Sequence, residues 1–238
     1  MTTSEKKKRG VPAKSSRKGS VAAPRGRRAK GALTRRKILD AAFNVIATDG
    51  IRGVTHRSVA NEADVPLSLI TYYFKDIQAM LLEAFEQFSE RGRPELQAMY
   101  VEVFDYLGGY SRAELRKRAV RESLCETLSL QLCEYVLHQV TGKSVGLVVE
   151  QIFFTQTTLA PQLRAMAHVH RRQMLDPLVD VCRYFNRVDP EVDAELLFDS
   201  VTALEYRLIA SPLEELDKDK VLRMLRRNVG WVMGLKNA

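Results

Sequence analysis

Thr55-His56-Arg57-Ser58-Val59-Ala60-Asn61-Glu62-Ala63-Asp64-Val65-Pro66-Leu67-Ser68-Leu69-Ile70-Thr71-Tyr72-Tyr73-Phe74 contains two short helical runs on either side of a tight turn. Thr55 carries a side-chain oxygen suited to an N-cap, so the spacing predicts a first helix through Ala63. Asp64-Val65-Pro66 predicts the turn, because Asp tolerates left-handed backbone angles. A second helix then runs to about Phe74. Val59, Ala60, Ala63, Val65, Ile70 and Phe74 form one apolar set that would fix the angle between the two helices, leaving Leu67, Ser68, Thr71 and Tyr72 to point outward. This is the pattern of a helix-turn-helix, in which one helix braces against the DNA backbone and the next meets base edges in the major groove.

On the N-terminal side, Ile38, Leu39, Ala42, Phe43, Val45 and Ile46 recur at helical spacing from Thr34 onward, with Gly50 placed to cap the C-terminus. On the C-terminal side, Asp76 caps a longer amphipathic helix carrying Ile77, Met80, Leu81, Ala84, Phe85 and Phe88, expected to stop near Gly92 and Pro94. The rest stays helical in period, punctuated at Gly108-Gly109, Gly142, Pro161, Asp176-Pro177, Asp189-Pro190 and Ser211-Pro212. In the last three pairs the first residue would cap and Pro would occupy the first helical position; Ser211 with Glu214 also fits a capping box. No alternating run reads as a strand. The expected fold is all-α: a basic, disordered arm (1–31), a three-helix helix-turn-helix module (32–92) and a larger helical domain (93–238).

Charge follows the same division. Residues 1–37 hold fourteen Lys and Arg against the single acid Glu5, so of the net +8 the arm carries +13 and the remainder −5. A basic arm on a mildly acidic body suits a protein that grips a polyanion at one end. Cys125, Cys133 and Cys182 show no metal spacing, and on one helix Cys125 and Cys133 would lie roughly 12 Å apart, beyond the ~7 Å reach of a disulfide. No segment approaches the ~18 apolar residues of a membrane span, and the basic N-terminus lacks the apolar run of a signal peptide. A cytoplasmic protein without metal or cofactor is expected.

In its N-terminal third the chain resembles the TetR family of bacterial repressors. The residues that carry the resemblance are Ala41-Ala42-Phe43-Asn44-Val45-Ile46, Gly50, Thr55-His56-Arg57-Ser58-Val59-Ala60 and Tyr72-Tyr73-Phe74-Lys75-Asp76, in order and at family spacing between about Thr34 and Phe88. The resemblance implies that Thr55 and Arg57 touch phosphates while Leu67, Ser68, Thr71, Tyr72 and Tyr73 meet bases or backbone. Three positions depart from the pattern: the turn Gly is Asp64, the usual Tyr of the recognition helix is Thr71, and the phosphate-binding Lys of the fourth helix is Ile77, for which Lys75 is the candidate substitute. The recognition helix holds no Arg or Lys, the side chains that most often read guanine. Added grip is expected from the arm, whose Pro24-Arg25-Gly26-Arg27-Arg28 resembles an AT-hook; Arg25, Arg27 and Arg28 would enter the minor groove, or the arm acts as a nonspecific solvated tail.

The resemblance further implies that the larger domain is a dimeric ligand receptor. Leu197, Val201, Leu204 and Leu208, and then Leu222, Leu225, Val229 and Val232, make two narrow apolar seams that would pair across a four-helix dimer interface or pack within one subunit. Gln131, Tyr135, His138, Gln151, Phe154 and Tyr184, with Gln156, His168 and Tyr206, are candidate pocket residues, being polar or aromatic among apolar neighbours. His168 and His170, two apart on a helix, point differently, which excludes a shared metal site and places them at the surface. The absence of a dense charged cluster points to a small, largely apolar effector. No Cys has an adjacent His, and neither a phosphate loop nor a His-Glu zinc motif occurs, so an enzyme is not expected. The expected function is a DNA-binding regulator, a repressor of a palindromic operator, with an activator or a low-specificity architectural protein as alternatives.

Overall fold

Among the described residues, nine α-helices and two 3-10 turns make up the regular structure and no strand occurs. The computed structural model describes residues 1–2, 25–156 and 160–235, with side chains in the first helix from Ala29 onward. The helices are α1 (Arg25–Gly53), α2 (His56–Glu62), α3 (Leu67–Tyr73), α4 (Ile77–Gly108), α5 (Arg118–Gly142), α6 (Ser144–Thr155), α7 (Pro161–Cys182), α8 (Pro190–Ile209) and α9 (Lys218–Val232). The all-α expectation therefore holds.

Several local signals work as the residues predict. Gly50 breaks α1 with φ +72°, the left-handed conformation that favours glycine at a helix end. Asp76 caps α4 by accepting from the Gln78 and Ala79 amides at 3.1 and 3.2 Å. Pro161 and Pro190 sit in the first turns of α7 and α8, where a missing N–H is harmless.

Others do not. The first helix begins at Arg25 instead of Thr34, so Gly26 lies in helical backbone and not in the extended chain that minor-groove insertion needs. The side chains of Arg25, Arg27 and Arg28 lie outside the described residues, as do residues 3–24 of the arm. Helix α4 does not stop near Gly92 and Pro94 but continues to Gly108 with Pro94 inside it. An internal Pro costs about 3 kcal/mol. The opposing force is apolar: Leu96, Met99, Tyr100, Val103 and Phe104 continue the inward face of the helix along a cavity, and Leu107 is fully buried.

Pro177 likewise lies within α7 and starts no helix; the Met174 carbonyl, in the turn that Pro177 disturbs, accepts from the Tyr100 hydroxyl at 3.3 Å. At Ser211-Pro212 only a 3-10 turn (Leu213–Glu215) forms. Ser211 Oγ donates back to the Arg207 carbonyl, so the expected capping box is absent.

The core joins the two halves of the chain. Ile38, Val45, Ile46, Val59, Ile70, Phe74, Met80 and Phe85 of α1–α4 share one cluster with Val149 and Phe153 of α6 and Leu163 of α7. Phe85 stacks on Phe153 at 4.1 Å between ring centroids. Gly146 lets α6 approach α4 closely, since a Cβ there would lie 2.9 Å from the Phe88 ring. Helix α4, about 48 Å long at ~1.5 Å per residue, crosses the expected domain boundary at residues 92–93 without interruption. Farther along, α5 packs on α9 and α7 on α8.

Both apolar seams face inward, onto separate clusters of the larger half. Leu197, Leu204, Leu225 and Val229 are buried within their own chain, and Val201, Leu208, Leu222 and Val232 pack against the same clusters. Within the chain the seams pack α8 and α9 onto its own helices. A buried helix face and a dimer seam have the same period, so spacing alone does not separate them.

Candidate nucleic-acid interface and ligand cavity

Helix α2 starts on a reciprocal cap: Thr55 Oγ1 accepts from the Ser58 amide at 3.0 Å, and Ser58 Oγ accepts from the Thr55 amide at 2.8 Å. Ala63 is buried at its end, and Asp64 then takes φ +48°, the left-handed turn position where the family pattern has Gly. Helix α3 follows on Pro66, anchored inward by fully buried Ile70 and by Phe74 just beyond its end. His56 Nε2 donates to the Phe74 carbonyl at 2.8 Å, tying the start of the bracing helix to the end of the second one.

Around this frame the expected reading residues are displayed. Thr55, Arg57, Leu67, Ser68, Thr71, Tyr72 and Lys75 are exposed, Tyr72 at 76% of its surface. Tyr73 is half-buried, with its ring edge-on to Tyr72 at 5.1 Å. The Thr71 hydroxyl bonds back to the Ser68 carbonyl at 3.1 Å.

Arg35 clamps the module from α1. Its guanidinium pairs with both oxygens of Glu83, lies 4.3 Å from the Phe74 ring centre and donates to the Tyr73 carbonyl at 3.3 Å. The Glu83 contact holds the Arg35 guanidinium above its ordinary pKa. By sequence, Arg35 belongs with the basic arm and His56 carries no role of its own. Both make orienting contacts to residues distant along the chain, which have no local signature.

The larger half of the chain holds a partly open cavity of about 1090 Å³, lined by helices α4 to α9 and by Phe43 of α1. Of the expected pocket residues, Gln131 and Tyr135 line it. The others lie elsewhere. His138 is exposed beside Glu95 at 3.3 Å, Phe154 packs under the helix-turn-helix core, Tyr184 sits against Phe104 at 6.5 Å, and Gln151 is half-buried on α6 away from the lining.

Two carboxyls missed at the sequence level, Glu150 and Glu205, line the cavity and are 5% and 4% exposed. They add a pair of buried acids to a lining in which the sequence showed no dense charged cluster. The signal was a single Glu within the apolar run Leu147-Val148-Val149-Glu150-Gln151-Ile152-Phe153, and another directly after Leu204 on the inward face of α8.

His170 is also a correction. It is buried, not at the surface, with Nδ1 2.8 Å from Ser89 Oγ and Nε2 3.0 Å from Glu150 Oε2. Tyr206 donates to Glu150 Oε1 at 3.4 Å, completing a chain from α4 through α7 and α6 to α8. Burial first, and then the charge of Glu150, push the Glu205 carboxyl up to about 8. Burial raises the Tyr135 and Tyr206 phenols as well. Cys125, Cys133 and Cys182 are buried free thiols, and burial pushes Cys182 up to about 12, so none is a ready nucleophile. Among the described residues no cluster of His, Cys, Asp or Glu could hold a metal ion, and no helix is long and apolar enough to cross a membrane.

A capped bracing helix, a left-handed turn and an exposed second helix, mounted on an all-helical body with an internal cavity, define a two-part helix-turn-helix protein. Residues 38–84 match the family described as bacterial regulatory proteins, tetR family. An uncharacterized HTH-type transcriptional regulator in the dhlA 5′ region of Xanthobacter autotrophicus is 38% identical over 55 residues, which are 23% of this chain and 27% of that protein. The match thus spans about a quarter of the relative's length.

A TetR-family transcriptional regulator from Mesorhizobium loti has the same fold, with TM-score 0.60 and 14% identity over 87% of this chain and 98% of that one. A transcriptional regulator from Saccharomonospora viridis in complex with choline has TM-score 0.56 and 17% identity, over 82% of this chain and 95% of its own. The N-terminal module is therefore similar to that of the tetR family of bacterial regulatory proteins, and the chain as a whole shares the fold of these regulators.

Proposed function

We propose that the protein is a DNA-binding transcriptional regulator: a repressor that holds a near-palindromic operator as a homodimer and releases it when a small molecule occupies the cavity. The exposed face of α3, set at a fixed angle by Ile70, Phe74 and the His56 and Arg35 contacts, carries this reading. Thr55 and Arg57 meet phosphates, and Leu67, Ser68, Thr71, Tyr72 and Tyr73 meet the groove, with Lys75 beside them. Arg25, Arg27 and Arg28 and the preceding arm add phosphate contacts of the kind that raise affinity without choosing sequence.

The outer faces of α8 and α9 are proposed as the dimer surface, since Leu196 and Trp231 stand 66% and 64% exposed there. Larger apolar side chains left at the surface mark association sites when they are contiguous. Effector release is supported by α4, which runs uninterrupted from the helix-turn-helix core to the cavity wall, and by the small ligand held in the Saccharomonospora viridis protein of similar fold. Two states that bind DNA and ligand differently are what such release requires.

Footprinting upstream of the gene, with competition against bulk DNA, tests the reading. A protected palindrome with half-sites ~34 to 36 Å apart, or a multiple of that, and a specificity ratio of about 10³ or more are expected. The lack of Arg and Lys on α3 favours one rival, an architectural protein of low specificity. A ratio near unity would establish it. An activator would show the same footprint at a different place relative to the promoter.

A further inference from the structure

We propose that the cavity is built for an organic monocation with an apolar body, its charge taken up by Glu205. This inference rests on the reading of the cavity as an effector site. Glu205 is 4% exposed, lines the cavity, and its Oε1 has no hydrogen-bond partner. A carboxyl buried in this way is unfavourable unless something pairs it.

The second carboxyl is already engaged, because Glu150 accepts from His170 and Tyr206. The cations near the cavity are engaged too. Arg91 pairs with Asp40, Arg93 donates to Gln173, and Lys143 pairs with Glu95, so none of these contacts reaches Glu205. Gln131 Oε1, also on the lining, is a second buried acceptor without a donor.

The charge of the ligand follows from these groups. An anion would meet two carboxyls. A neutral donor would satisfy one oxygen but has no charge to offset the ionised form of Glu205, which burial and Glu150 both disfavour. A cation stabilises the ionised form of Glu205 against both its burial and the charge of Glu150, and aromatic lining such as Tyr100, Tyr135 and Phe104 offers the ring faces that cations favour. At about 1090 Å³ the cavity is as large as drug-sized sites become, and most of its wall is Leu, Val, Met and Phe. The body of the ligand is therefore apolar.

Binding is linked to protons. The empty site keeps Glu205 largely protonated at neutral pH, since its carboxyl is pushed up to about 8. The titratable groups that interact with it are Tyr135 on α5, Glu150 on α6 and Tyr206 on α8; Tyr100 on α4 and His170 on α7 act on Tyr135 and Glu150 in turn, and Arg171 of α7 is committed to Asp199 at 2.9 Å. Entry of a cation expels the Glu205 proton. Affinity should then rise roughly tenfold per pH unit up to about 8 and level off above it.

Titration calorimetry on the full chain tests this with three shape-matched probes: tetraphenylphosphonium, neutral triphenylphosphine oxide and tetraphenylborate. The expected results are binding of tetraphenylphosphonium with proton release, weakening of at least about tenfold in Glu205→Gln, and no binding of tetraphenylborate. The wild-type pH series reads the same linkage without any variant. Binding of triphenylphosphine oxide as tight as that of the phosphonium, or a flat pH profile, overturns the cation inference and leaves the effector cavity standing. Failure of all three probes overturns both.

Discussion

Glu205→Gln removes one proton-titrating group from the middle of the helical body while keeping its shape, and its effect on stability can be worked out. In the unfolded chain the carboxyl titrates at its ordinary value of 4.5, and in the empty folded protein at about 8. Because the folded value is the higher one, the contribution of Glu205 to stability is intact below 4.5 and is lost as the pH climbs towards 8.

At ~1.36 kcal/mol per pH unit, the loss amounts to about 1 kcal/mol at pH 5, about 3 kcal/mol at pH 7 and about 5 kcal/mol at pH 8.5. Gln does not titrate, so the variant escapes this loss. For a domain of this size a kilocalorie shifts the melting temperature by ~2 to 4 °C. The variant should melt roughly 5 to 12 °C above wild type at pH 7, and within about 3 °C of it at pH 5. Thermal melts followed by circular dichroism at three pH values decide the matter. An offset between the two proteins that is the same at every pH would refute the reasoning, since only a group buried in its neutral form makes the difference grow with pH.

Further outcomes follow from the reading head and the outer surface. Asp64→Ala should destabilise by about 1 kcal/mol, because Asp tolerates the left-handed conformation better than Ala, and Asp64→Gly should retain or improve stability; denaturant melts compare the two. Tyr72→Ala, at an exposed position, should leave the melting temperature within about 1 °C of wild type yet relax sequence choice on selection from randomised operators. Trp231→Ala combined with Leu196→Asp should turn the proposed dimer into monomer in analytical ultracentrifugation while the helical content by circular dichroism is kept; a dimer that survives would place the interface elsewhere. Deletion of residues 1–30 should flatten the salt dependence of DNA binding by about 0.9 in log–log slope for each phosphate that the arm no longer neutralises.

What can be read along the chain is what depends on near neighbours. Thr55, Asp64, Gly50 and Asp76 act within three or four residues of themselves, so cap, turn and break can each be assigned from local chemistry, and with them the helix-turn-helix. The interior prolines go the other way. Pro94 and Pro177 have the local character of a helix end and a helix start, but the apolar side chains that carry α4 past Pro94 do so against α5, α7 and α8, and Tyr100 answers the turn before Pro177 from another helix.

The same distinction separates the site residues. Exposure of Leu67, Ser68, Thr71 and Tyr72 follows from the period of one short helix. The pocket does not: Gln131 and Tyr135 reach it while His138 and Tyr184 do not, because a cavity is the space left by several helices together.

By itself the sequence determined that this is an all-helical protein with a helix-turn-helix similar to that of the tetR family, because caps, turns and apolar period are encoded in contiguous residues. Only the tertiary structure decided which way the seams of α8 and α9 face, and that Glu205 and His170 lie inside. The direction in which a helix turns its faces is set by the helices packed against it, and one helix's own period is blind to them.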